Sequence, residues 1–120
     1  MGKSQKRKGY RTEHNLVKMF EKEDIKARRQ PLSGALVDFP HDLYVDILGG
    51  SVVEVKARAN GEGFKTIQRW KGSSDILLLV EDRKTPTVVL NWRYFIDLVV
   101  SSREQKNDEQ RIHKDIQKDI

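Results

Sequence analysis

The chain has 120 residues, 37% hydrophobic and 34% charged, which suits one domain with a single small core. It has no cysteine, which excludes disulfides, thiolate metal sites and a cysteine nucleophile. No apolar run approaches the roughly 20 residues of a membrane span and no apolar signal core opens the chain, so a soluble cytoplasmic protein without membrane contact is expected.

The net charge of +5 is unevenly placed. Residues 1–11 hold five basic side chains (Lys3, Lys6, Arg7, Lys8, Arg11) and no acid, while residues 12–100 carry 13 of each sign and residues 101–120 five of each. The excess is an N-terminal basic arm. Such an arm favours a polyanion through counterion release; it serves equally as a solubilising tail. The expected organisation is a flexible basic arm over 1–11, a folded domain over 12–100 and a polar C-terminal helix or tail over 101–120.

Thr12 is a candidate cap for a helix reaching Lys22, with Leu16, Val17 and Phe20 as its apolar stripe. Glu13 falls one turn before Leu16 and Val17, on the inward side. An acid there needs a partner or a metal, unless it sits at the solvent edge of the first turn. Residues 27–30 read as a short edge strand before Pro31. Residues 32–36 read as a small-residue loop, either a plain connection or a mobile segment that lets backbone and the Ser33 hydroxyl approach a ligand, and the loop continues to His41.

Asp42 to Arg58 reads as a hairpin around Gly49-Gly50. Leu43, Val45 and Ile47 share one face of its first strand; Asp42, Tyr44 and Asp46 share the other. Glu54 and Lys56 share a face of the second strand. Carboxylates from both strands make an oxygen-donor site for a hard cation, and a lysine beside it offsets developing negative charge. Register decides whether they meet. A two-residue Gly49-Gly50 loop pairs Val45 with Glu54 and separates the acids onto opposite faces; an odd-length turn or one bulge reunites them. The other reading of this stretch is a half-exposed hairpin with an ordinary Glu–Lys face.

Residues 59–63 are turn-rich. Phe64–Lys71 reads as a short helix with Phe64, Ile67 and Trp70 inward, and Gly72 ends it. Residues 76–80, Ile-Leu-Leu-Leu-Val, have the pattern of a central buried strand. Residues 86–90 follow as another strand, and residues 92–100 as a helix packing Phe95, Ile96, Val99 and Val100 inward. Beyond Ser101, Ile112, Ile116 and Ile120 allow a thin amphipathic helix. The order is α, β, β, β, α, β, β, α.

An ordered series of short motifs runs through these elements: Lys8-Gly9-Tyr10 before Glu13, Ser33-Gly34-Ala35, Phe39-Pro40-His41-Asp42, and Glu54-Val55-Lys56-Ala57. In this the chain resembles the archaeal-type Holliday junction resolvases of the PD-(D/E)xK nuclease superfamily, over roughly residues 8–100. The resemblance implies a restriction-endonuclease-like α/β fold, with a central mixed sheet of about five strands flanked by helices. It implies Mg²⁺ or Mn²⁺ as cofactor, a homodimer, and paired phosphodiester hydrolysis in four-way DNA junctions. Carried over by position, Asp42 and Glu54 are metal ligands, joined by the backbone carbonyl of Val55. Lys56 orients the water and stabilises the transition state, and Glu13 supports the site. Asp46 rivals Asp42. Lys6, Arg7, Lys8, Arg11, Arg29, Ser33 and Arg58 are the candidate DNA contacts. Phosphate contacts without base readout suit structure-selective binding. Two alternatives remain: a nuclease acting on other branched or duplex DNA in repair or restriction, and a DNA-binding module without catalysis.

Overall fold

The computed structural model describes residues 3–30 and 42–118, with the side chains of residues 9–30 and 42–112. Eight elements follow one another: α1 (Lys3–Lys22), β1 (Ala27–Arg29), β2 (Leu43–Val45), β3 (Ser51–Val53), α2 (Glu62–Lys71), β4 (Ile76–Leu79), β5 (Thr87–Leu90) and α3 (Trp92–Lys118). Their order matches the order expected from the sequence. They fall into two compact units, Met1–Ala59 and Asn60–Ile120.

In the first unit α1 starts at Lys3, so residues 3–11 are helical and Thr12 lies inside the helix, where a cap had been expected. Lys, Gln and Arg are good helix formers, and between Lys3 and Thr12 only Gly9 opposes the helix. The helix ends in a Schellman turn. The Ile25 N–H donates to the Phe20 carbonyl at 3.0 Å and the Asp24 N–H to the Glu21 carbonyl at 2.9 Å. Asp24 takes the left-handed position at φ 61°. Phe20 and Ile25, which this motif brings together, are both buried.

The chain then enters a three-stranded antiparallel sheet in the order β1-β2-β3. Leu43 and Val45 alternate inward from β2 and complete a core with Phe20 and Ile25. Each such burial stabilises by about 1.5–3 kcal/mol. On the opposite face Arg28 pairs with Tyr44 across the strands and lays its guanidinium 5.0 Å from the ring centroid.

The hairpin between β2 and β3 does not turn on Gly49-Gly50. The Gly50 N–H donates to the Ile47 carbonyl at 3.0 Å, with Leu48 at φ 51° and Gly49 at φ 82° between them. Two central residues at positive φ make a type I′ turn. From Ile47 opposite Gly50, regular pairing would set Asp46 against Ser51; the ladder instead pairs Val45 with Ser51. Asp46 is therefore the extra residue of a bulge. Its N–H turns away to the Lys26 carbonyl at 2.8 Å. Gly50, at φ 132°, leaves room for Tyr44, whose hydroxyl would collide with a Cβ there.

In the second unit α2 ends at Gly72, at φ 53°, whose N–H reaches the Gln68 carbonyl at 2.9 Å. β4 and β5 pair antiparallel, from Ile76 with Leu90 to Leu79 with Thr87. Two expectations change here. The described strands form two antiparallel sheets, of three and two strands; one sheet of five strands is not seen. The apolar run of β4 is not a buried centre: Ile76 and Leu78 are exposed, and Val80 beyond the strand is 72% exposed. Burial on both faces needs a layer on each side, and among the described residues β4 hydrogen-bonds to β5 alone. On α2, Phe64 and Trp70 are likewise exposed. α3 buries Ile96 and runs without a break to Lys118. No glycine or proline interrupts that stretch, so the helix has no reason to stop at Val100.

Candidate active site

The bulge at Asp46 shifts the pairing by one residue, and this makes the site possible. With Leu43 opposite Val53, the next residue on each strand is Asp42 and Glu54, on the same side of the pleat. The ladder stops there. The Asp42 N–H donates to the Val53 carbonyl at 3.1 Å, and the Asp42 carboxylate takes over as partner for the departing chain by accepting the Val55 N–H at 2.7 Å. A carboxylate that ends a strand pair in this way is fixed in direction by a backbone donor.

Asp42, Glu54, Val55, Lys56, Ala57 and Arg58 line one open cavity of about 320 Å³, together with Gly9, Thr12 and Glu13 from α1. Thr12 and Glu13 lie three and four residues after Gly9, so all three fall on one side of the helix. Glu13 is 9% exposed. Its Oε2 accepts from Arg29 Nε at 2.6 Å, which gives the inward acid the partner its burial demands. Glu54 and Lys56 form an ion pair of 3.2 Å with both side chains largely exposed. A pair so solvated is worth about 1 kcal/mol or less, so it opens readily for a ligand. Arg58 donates from Nη1 to its neighbour's carbonyl, that of Ala57, at 2.7 Å.

The structure thus gathers Glu13, Asp42, Glu54, Val55, Lys56 and Arg58 of the expected site residues around one cavity. Asp46, the rival acid, sits at the far end of β2 and does not line it. Arg29 meets the cavity only through Glu13. Arg11 is exposed on α1, and Lys6, Arg7 and Lys8 lie in its first turns. Ser33 and His41 lie outside the described residues. Gly9 and Thr12 were not expected in the lining; the spacing of Gly9 from Thr12 and Glu13, three and four residues, was the available signal.

The donor set fits a hard divalent cation in type: two carboxylates and a backbone carbonyl, all oxygen. Among the described residues no three Asp, Glu, His or Cys side chains converge to enclose an ion. Asp42, Glu54 and Val55 would hold one side of a cation, with water and phosphate oxygens on the other, which is the usual condition of Mg²⁺. Comparison with protein families, with curated proteins and with solved structures finds no match.

Proposed function

We propose that the chain is a metal-dependent DNA endonuclease of the PD-(D/E)xK kind, selective for four-way junctions. The observation that carries this reading is the gathering of Asp42, Glu54 and Lys56, with Glu13 behind them, around one open cavity. That constellation depends on the bulge at Asp46, which brings Asp42 and Glu54 to one face. A homodimer acting on the twofold junction belongs to the same proposal.

In this reading Asp42 and Glu54 hold the cation, with the carbonyl of Val55. The bound cation supplies positive charge to the scissile phosphate and a water of lowered pKa. Asp42 is already aimed by the Val55 N–H, so little reorientation is needed. Lys56 leaves its weak pair with Glu54 and sets its ammonium against the charge that grows on the phosphate oxygens. Arg58, exposed on the cavity wall, is placed to hold a neighbouring phosphate without reading a base.

The test is cleavage of a synthetic four-way junction beside a matched linear duplex, in Mg²⁺ and in EDTA. Paired nicks in the junction alone, lost in EDTA, are expected. Asp42→Ala and Glu54→Ala should each lower the rate by about a hundredfold or more while DNA binding persists. Equal cutting of both substrates would keep the nuclease and discard junction selectivity. Binding with no cutting in Mg²⁺ or Mn²⁺ would leave a DNA-binding module.

A further inference from the structure

We infer that Tyr10 is a positioning residue for this site, acting on Glu13 through Arg29. The inference rests on the nuclease reading for its effect on cleavage, and on geometry alone for the contact it describes. Tyr10 is 52% exposed on α1, so the core does not need it. Its ring nevertheless has two neighbours. The Arg29 guanidinium carbon lies 4.3 Å from the ring centroid. The His14 ring, one turn along the helix, stacks at 5.9 Å with 9° between the planes.

Arg29 arrives from β1 and bonds Glu13 with Nε at 2.6 Å. A guanidinium is planar: it can lay its face on an aromatic ring while its N–H groups bond a carboxylate in the plane. The Tyr10 face sets the tilt of that plane; the tilt sets where Nε points; Nε fixes the Glu13 carboxylate on the cavity wall. His14 braces the ring from the same helix face. Without the ring, Arg29 keeps its charge but loses its fixed orientation. Glu13, a buried acid, then follows whichever rotamer Arg29 adopts. Tyr10 does not itself line the cavity, so its loss should slow the chemical step more than it weakens DNA binding.

The test compares Tyr10→Phe, Tyr10→Leu and Tyr10→Gln, each alone and combined with Glu13→Gln. Leu and Gln are good helix formers, so α1 tolerates both. The first readout is solvent exchange of the Arg29 Nε–H, identified in proton–nitrogen NMR spectra by its loss in Arg29→Lys. It should be slow in wild type and Tyr10→Phe, and about tenfold faster in Tyr10→Leu and Tyr10→Gln. The second is single-turnover junction cleavage in Mg²⁺. There the two ring-less variants should be about tenfold slower, with DNA Kd changed by about twofold or less, and should cause no further loss in the Glu13→Gln background. Unchanged Nε–H exchange in the ring-less variants overturns the inference, whether or not the wild type cuts DNA. So does a rate loss that multiplies fully with that of Glu13→Gln. A wild type that cuts no DNA removes the proposed function, and the exchange rates then decide the role of Tyr10 by themselves.

Discussion

Leu48 closes the hairpin that carries the candidate site, although it does not line the cavity. It sits at φ 51° as the first central position of a type I′ turn and is 93% exposed. A branched side chain gains nothing there and strains the backbone; Asn before Gly is the pair this turn favours. Leu48→Asn should therefore stabilise the protein by about 0.5–1 kcal/mol, read as a higher urea midpoint with unchanged slope. Junction cleavage should be unaffected, because the bulge at Asp46 and the pairing of Leu43 with Val53 stay as they are. A lower midpoint in Leu48→Asn would mean that the turn is not type I′. The same residue explains a misreading. Two adjacent glycines at 49 and 50 suggest a turn centred between them, whereas Gly50 is reserved for a different task, passing close to the Tyr44 hydroxyl. A local pattern of glycines shows that φ is unusual somewhere; it does not say which pair closes the turn.

At the scale of elements, the type and order of all eight segments were legible, because alternation and helical spacing mark them plainly. Their ends were less so. α1 begins nine residues before Thr12 and α3 continues past Val100, since charged, straight-chain residues carry a helix with no apolar signal to announce it. Gly9 provides the check. It lies inside α1, nothing stands within 4 Å of a Cβ placed on it, and its φ is not in the left-handed region. Gly9→Ala should stabilise the helix by about 0.5–1 kcal/mol, visible as increased ellipticity at 222 nm and a higher urea midpoint. If residues 3–11 were a disordered arm, the substitution would leave both unchanged. The strand register was legible only as a condition: Asp42 and Glu54 had to share a face for the site to exist. The bulge meets that condition, and the residue that provides it, Asp46, had been weighed only as a metal ligand. The burial of β4 was misjudged for a related reason. An apolar run reports what a strand tolerates, while its exposure depends on neighbours that its own residues do not name.

At the scale of the whole molecule, charge lets the proposed binding be tested apart from the proposed cutting. The excess of +5 arises within residues 1–11, most of which belong to α1, and the cavity adds Lys56 and Arg58 beside the acids. Binding to a phosphate backbone through such residues releases counterions, so log Kobs should fall linearly with log salt, by about 0.9 for each phosphate neutralised on duplex arms. Arg58→Ala should lower that slope by about 1 if its guanidinium holds one phosphate. Arg11→Ala should do the same if the exposed face of α1 joins the contact. Titrations over a range of KCl in EDTA measure this without any cleavage. Equal losses on junction and linear DNA would make these contacts general, leaving junction selectivity to the geometry of the assembly. A loss confined to the junction would place the residue where the arms diverge. An unchanged slope in both variants would remove Arg11 and Arg58 from the interface while leaving Asp42, Glu54 and Lys56 untouched. In the proposed reading, electrostatic attraction rests on Arg11 and Arg58 and hydrolysis on Asp42, Glu54 and Lys56, so each can fail alone.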